Sequence, residues 1–164
     1  METNSEKIEK LFTQSSDVIL KSKILSEKID NTISLIISSL ENKNKILIFG
    51  NGGSAADAQH IAAEFVSRYL IERLSLPAIA LTTDTSILTS IGNDYDFNKI
   101  FSRQCESLVK SGDIIIAIST SGKSKNVILG IEEAKKHGAK IISLTGNDGG
   151  ILNEKSDICL EIPS

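Results

Sequence analysis

His60 and Glu64 stand four residues apart, and Ser119, Thr120, Ser121 and Ser124 place four hydroxyls within six residues. On a helix, an imidazole and a carboxylate at that spacing share one face. This suits joint action on one substrate or one metal ion, and it equally suits an ordinary surface contact. The hydroxyl cluster follows Asp113-Ile-Ile-Ile-Ala-Ile and precedes a helix opening at about Ser124. Neutral hydroxyl donors beside the N–H groups of a helix start hold a phosphate dianion without burying several positive charges. Capping alone would account for Ser121 and Ser124, but four hydroxyls exceed the need of one cap.

A third grouping, Gly50-Asn51-Gly52-Gly53-Ser54, ends the apolar run Ile46-Leu-Ile-Phe and opens the alanine-rich pattern that carries His60 and Glu64. This reads as strand, tight loop and helix. Glycines permit positive φ and close backbone approach, so phosphate binding is its first reading. The spacing Gly50-x-Gly52-x-x-Ala55 also fits a dinucleotide fingerprint, which wants an acidic residue about 20 positions further on. The next strand candidate, Pro77 to Thr82, lies farther away and ends in Thr-Thr-Asp, which weakens that reading. A glycine-rich turn without a ligand is the remaining alternative.

The elements that must position these groups alternate along the chain. Residues 5–41 lack Gly and Pro and carry Ile8, Leu11, Phe12, Val18, Ile19, Ile29, Ile33, Ile36, Ile37 and Leu40 at helical spacing, giving one or two helices. These helices are expected to pack on another subunit, with coverage of the domain's own sheet as the alternative. Pro77-Ala-Ile-Ala-Leu-Thr reads as a short buried strand, and Ser86 to Gly92 as a helix ended by glycine. A polar loop, Asn93-Asp94-Tyr95-Asp96, then leads to a helix from about Phe97 to Lys110. Asp96 is placed to cap that helix, which leaves Asp94 free for sugar hydroxyls. Lys140 to Thr145 gives another strand, Gly146 to Gly150 a loop, Ile151 to Lys155 a short helix, and Ile158 to Ile162 a fifth strand. Such alternation predicts an α/β fold, a doubly wound parallel sheet with both Gly/Ser loops on the carboxyl rim. His137, in Lys-Lys-His-Gly at a helix end, fits an interaction with the helix dipole.

Composition sets outer limits. The 164 residues, 40% of them hydrophobic, suit one globular domain, and the net charge of −3 gives no general drive toward nucleic acid. Neither a signal-peptide core nor a run near the ~20 apolar residues of a membrane span is visible, so a cytoplasmic protein is expected. Cys105 and Cys159 form no CxxC pair and read as reduced, packed thiols.

Taken together, GNGGSAADAQHIAAE, AIALTTDTSIL, GNDYDFNKIFSRQ, DIIIAISTSGKSKNV and ISLTGNDGG resemble the sugar isomerase (SIS) domain and, within it, the phosphoheptose isomerases. The likeness covers about Lys45 to Ser164, so the chain reads as one SIS domain, 1–164. An N-terminal helical segment occupies 1–41 and a five-stranded α/β core 45–164. The resemblance implies conversion of sedoheptulose 7-phosphate to D-glycero-D-manno-heptose 7-phosphate, toward the heptose of lipopolysaccharide or capsule. By motif, Asn51, Gly52, Gly53, Ser54, Asn93 and Asp94 would line the sugar site, and Ser119, Thr120, Ser121 and Ser124 would hold the phosphate. Aldose–ketose exchange through an enediol needs a base, for which Glu64 is the candidate, with His60 beside it. The resemblance also makes His60 and Glu64 zinc ligands, and it implies a homotetramer with sites between subunits.

The same resemblance implies a further helix, bearing a Gln and a His that join the metal site and supply an acid–base partner. This chain stops at Pro163-Ser164 and His137 matches no such position; the expectation is a truncated or incompletely recorded chain whose second acid–base group is missing, with loss of the helix as the alternative. Two other functions share the fold: binding of the DnaA replication initiator, which the Ala-Gln-His and Ser-Leu-Pro-Ala-Ile-Ala-Leu segments also resemble, and sensing of a sugar phosphate without turnover. Glu64 favours the enzyme, because a carboxylate there is what isomerisation needs.

Overall fold

Isoleucine-rich runs with no polar alternation require cover on both faces, and the structure supplies it. A computed structural model describes residues 2–146 and 148–164. Five strands, β1 (Ile46–Gly50), β2 (Ala78–Ala80), β3 (Ile114–Ile118), β4 (Lys140–Gly146) and β5 (Ile158–Ile162), form one sheet in the order β2-β1-β3-β4-β5. Every pairing is parallel, with Gly50 opposite Ile118 and Ile118 opposite Leu144. The order reverses direction between β1 and β3, which makes the crevice beyond their carboxyl ends the place where such sheets bind ligands.

The helices are α1 (Asn4–Lys21), α2 (Ser26–Glu41), α3 (Gly53–Val66), α4 (Thr85–Asp94), α5 (Ser102–Leu108), α6 (Lys125–Lys136) and α7 (Gly150–Lys155). Alternate strand residues face opposite ways. Leu47, Phe49, Ile115, Ala117 and Ile141 pack with Ile91, Phe101, Cys105, Val127, Ile131 and Leu152 from α4 to α7 and their connections. Ile46, Ile48, Ile114, Ile116 and Ile142 pack with Ala58 and Ala62 of α3 and with Leu35, Ile36 and Leu40 of α2. Phe49 stacks on Phe101 with ring centroids 4.8 Å apart, and each such fully buried ring contributes roughly 1.5–3 kcal/mol.

The two N-terminal helices are unequal in what they cover. α2 covers its own sheet, and Lys28 reaches across to β5, donating to the Cys159 carbonyl at 3.1 Å and pairing with Glu161. α1, opened by a capping box between Thr3 and Glu6, buries none of its residues and leaves Ile8, Leu11, Phe12 and Ile19 exposed.

Three local expectations need correction. α4 does not end at Gly92 but runs through it to Asp94, with Tyr95 N–H bonded to Ile91 C=O, because glycine inside a helix costs only about 1 kcal/mol. Asn93 and Asp94 therefore belong to a helix end and not to a loop. The stretch from Phe97 to Lys110 is broken: a 3-10 turn, Phe97–Lys99, capped by Asp96 through Asn98 N–H, is followed by the separate α5. β2 is only half buried, with Ile79 exposed, because it forms the sheet's edge. The Thr-Thr-Asp after it is a helix start, in which Asp84 accepts from Ile87 N–H at 2.9 Å and caps α4. Of the Gly146 to Gly150 loop, Asn147 lies outside the described residues.

Candidate active site

Two strand ends bring the glycine loop and the hydroxyl loop side by side. A Cβ on Gly50 would lie 2.7 Å from the Ile118 carbonyl, so only glycine lets the two strand ends approach this closely. Asn51 then turns toward α6 and exchanges two hydrogen bonds with Asn126: Asn51 Nδ2 donates to Asn126 Oδ1 at 2.9 Å, and Asn126 Nδ2 returns a bond to Asn51 Oδ1 at 2.8 Å. Beside this pair, a cleft of about 210 Å³ is lined by Asn51, Ser54, Ser119, Thr120, Ser121 and Ser124. An adjoining cleft of about 290 Å³ shares Ser54 and Thr120 and adds Asp57 and Thr145.

The hydroxyls in the first cleft are organised for an anion. Ser119 is 4% exposed, and its Oγ donates to Ser124 Oγ at 3.1 Å. Ser124 occupies the N-cap position of α6 without a side-chain capping bond, so its hydroxyl is not spent on the helix. Ser121 Oγ accepts from Lys123 N–H. Among the described residues, the N–H groups of Thr120, Ser121, Ser124 and Lys125 have no acceptor, which leaves them to a ligand at a positive helix end.

The loop after β4 holds this arrangement from behind. Gly146 N–H donates to the Thr120 carbonyl at 3.0 Å, and Leu152 N–H to the Gly122 carbonyl at 3.3 Å. Gly122 has φ 61, and a Cβ there would sit 2.0 Å from the Gly149 carbonyl oxygen.

His60 and Glu64 lie elsewhere on the same chain. Along α3 they are about 10 Å and about 16 Å from Gly53 at 1.5 Å per residue. His60 Nε2 is 3.7 Å from Glu64 Oε1, with the side chains 77% and 36% exposed. Glu64 borders a separate cavity of about 380 Å³ with Tyr69, Ile71 and Arg73. Arg73 closes the end of α3 by donating to the carbonyls of Glu64 at 2.6 Å and Phe65 at 2.9 Å. Asn93 and Asp94 are exposed at the far end of α4, with Asn93 Nδ2 bonded to Asp94 Oδ1 at 2.7 Å. One chain therefore gathers Asn51, Ser54 and the four hydroxyl residues into one cleft, while Gly52 lines a separate cleft of about 170 Å³ with Thr82 and Phe97. It does not bring His60, Glu64, Asn93 or Asp94 to them.

As metal donors, His60 and Glu64 supply one nitrogen and one oxygen. No group of three or more His, Cys, Asp or Glu side chains gathers among the described residues, so the pair falls short of the four ligands usual for zinc. Both cysteines are free and buried: burial, reinforced by Glu133, pushes the Cys105 thiol up to about 12, and burial raises Cys159 as well. His137 caps the end of α6 and lies 3.3 Å from Glu133.

Three residues here carry weak sequence signals. Asn126 is a polar residue in the first turn of a helix whose next positions are Val127 and Ile128, Asp57 is one turn from Ser54, and Arg73 sits just past a helix end.

The SIS domain family model matches residues 5–146. The chain is 54% identical over 140 residues to the phosphoheptose isomerase of Aliarcobacter butzleri, covering 85% of this chain and 74% of that protein. To the phosphoheptose isomerase of Aquifex aeolicus it is 50% identical over 160 residues, covering 97% and 84%. The solved structure of phosphoheptose isomerase GmhA from Neisseria gonorrhoeae superposes with a TM-score of 0.91 at 42% identity, covering 99% of this chain and 87% of that one. A parallel sheet with a glycine loop and a hydroxyl loop at its switch point, together with the family match, defines an α/β protein of the SIS type. Within that class, the chain belongs to the phosphoheptose isomerase family.

Proposed function

We propose that this chain interconverts sedoheptulose 7-phosphate and D-glycero-D-manno-heptose 7-phosphate through an enediol, feeding heptose synthesis for lipopolysaccharide or capsule. The observation that carries the proposal is the hydroxyl cleft between β1 and β3, with a buried Ser119 hydroxyl bonded to Ser124 and N–H groups around it that have no acceptor among the described residues. In the proposed mechanism, that cleft fixes the phosphate and so converts the reacting end of the sugar into a positioned group. Asn51 to Ser54 form the floor beneath the sugar, where the N–H groups of Gly52 and Gly53, without acceptors among the described residues, face a developing enediolate oxygen. Glu64 takes the proton from one carbon and returns it to the next, with His60 beside it to hold and share that proton.

Because Glu64 lies about 16 Å along α3 from Gly53, the proposed site is completed between chains, the carboxylate of one copy reaching the hydroxyl cleft of another. The exposed apolar row of α1 supports such an assembly, and a homotetramer is proposed. Zinc belongs to the proposal only where donors beyond His60 and Glu64 join them, and no step is routed through it. The two buried free thiols support a reducing, cytoplasmic setting, and no helix among the described residues is long and apolar enough to cross a membrane.

The test is Glu64→Gln in the assembled protein, with product formation followed alongside calorimetric binding. Expected is loss of heptose 7-phosphate formation with sugar-phosphate binding retained. Unchanged turnover would remove Glu64 from the mechanism, and a parent that binds no sedoheptulose 7-phosphate would refute the substrate reading.

A further inference from the structure

Among the described residues, the Asn51–Asn126 pair is the one side-chain hydrogen-bonded link between the glycine loop and the helix that follows the hydroxyl loop. Asn51 directly follows Gly50 at the end of β1, while Asn126 is the second residue of α6, and each carboxamide both donates to and accepts from the other. Asn126 is 3% exposed, and its Oδ1 accepts a further bond from Val127 N–H at 2.9 Å, which ties the pair to the first turn of the helix. The Asn51 carboxamide is thus oriented by one donated and one accepted bond, which fixes its place beside Ser54 in the lining of the cleft. Asn126 touches neither the hydroxyl cleft nor its neighbour, yet it sets where the glycine floor stands relative to the serines.

We infer that Asn126 is a positioning residue that holds the sugar floor at a fixed separation from the phosphate cradle, so that affinity for an extended sugar phosphate depends on the pair while affinity for phosphate alone does not. The inference rests on the sugar-phosphate reading of the site. Two neutral hydrogen bonds preorganise one geometry of the two subsites, and a ligand spanning both benefits from that rigidity whereas a ligand in one subsite does not.

The experiment compares calorimetric affinities for sedoheptulose 7-phosphate and for inorganic phosphate in the parent, Asn126→Ala, Asn51→Ala and the double variant. Each single change is expected to weaken the sugar phosphate by at least about tenfold while leaving inorganic phosphate within about twofold, and the double variant should be no weaker than about twofold below the poorer single. If Asn126→Ala does not fold, Asn126→Leu, close to asparagine in volume, removes the same pair from its buried side and carries the comparison alone. A parallel loss of both ligands would make Asn126 an ordinary structural residue. Additive losses would separate it from Asn51, and unchanged affinities would remove it altogether; each overturns the inference. A parent that binds inorganic phosphate but not sedoheptulose 7-phosphate refutes the sugar-phosphate reading itself, whereas one that binds both gives the affinity ratio whether or not it turns the sugar over.

Discussion

Replacing Gly122 by alanine tests whether the hydroxyl loop depends on its contact with the loop after β4. The new Cβ would stand 2.0 Å from the Gly149 carbonyl oxygen, whereas ordinary contact begins at 3.4 Å, so the loops must part by about 1.4 Å, the difference of the two. Alanine at φ 61 adds about 1–2 kcal/mol of backbone strain, and overpacking adds about 1–3 kcal/mol. The sum, about 2–5 kcal/mol, is below the roughly 5–15 kcal/mol that holds a typical domain together, so the variant should fold and melt roughly 5–20 °C lower. The same displacement exceeds what the 3.1 Å Ser119–Ser124 hydrogen bond tolerates. Binding of inorganic phosphate should weaken by more than tenfold, about 1.4 kcal/mol, and any turnover should fall by about a hundredfold, as for a comparable misplacement of a bound group. Thermal unfolding followed by calorimetric titration with phosphate reads both effects. An alanine variant that melts within about 1 °C of the parent and binds phosphate equally would refute the reasoning.

Ser119→Ala with Ser124→Ala should weaken phosphate-ester binding by more than tenfold, about 1.4 kcal/mol, and equal affinity in variant and parent would make the hydroxyl loop structural. A thiol raised to about 12, as for Cys105, is only about 1% thiolate at pH 10, so native protein should react with a disulfide reagent at neither cysteine near pH 8 and at both after denaturation. Rapid native labelling of Cys105 would contradict its burial. Leu11→Lys with Phe12→Glu on the exposed row of α1 should shift the species seen by light scattering to a smaller mass, and an unchanged mass would move the subunit contact away from α1.

Strands and loops were legible in the sequence where one physical cause dominates. Ile46–Phe49 and Ile114–Ile118 are too uniformly apolar for anything but a doubly covered strand, and the glycine and serine stretches behind them mark turns of unusual chemistry. What stayed hidden depends on tertiary context. Gly92 looks like a helix stop, but α4 tolerates it and carries Asn93 and Asp94 to its far end. The break between Phe97 and Leu108 arises where Ile100 and Phe101 drop into the core between two short helices, which helical spacing alone does not foretell. Asn126 gave only a weak signal, a polar residue in the first turn of a helix, because its partner is 75 residues away. The i, i+4 spacing of His60 and Glu64 was readable, but their separation from the hydroxyl cleft follows only from where α3 begins.

Lys28 has a consequence for how the chain reaches this state. Its contacts with Cys159 and Glu161 span 131 and 133 residues, and every strand pairing in the sheet is also a crossover between distant segments. Closing such loops costs entropy before any contact repays it, so folding of this sheet should be slow, the β1–β3 pairing of Ile46 with Ile114 being the most distant of its strand pairings and the contact of α2 with β5 more distant still. Until α2 docks, β5 presents a bare apolar edge of the kind that recruits strands from other molecules. The lysine that clasps this edge in the finished protein therefore also acts as its guard, and weakening it should show first as aggregation during refolding.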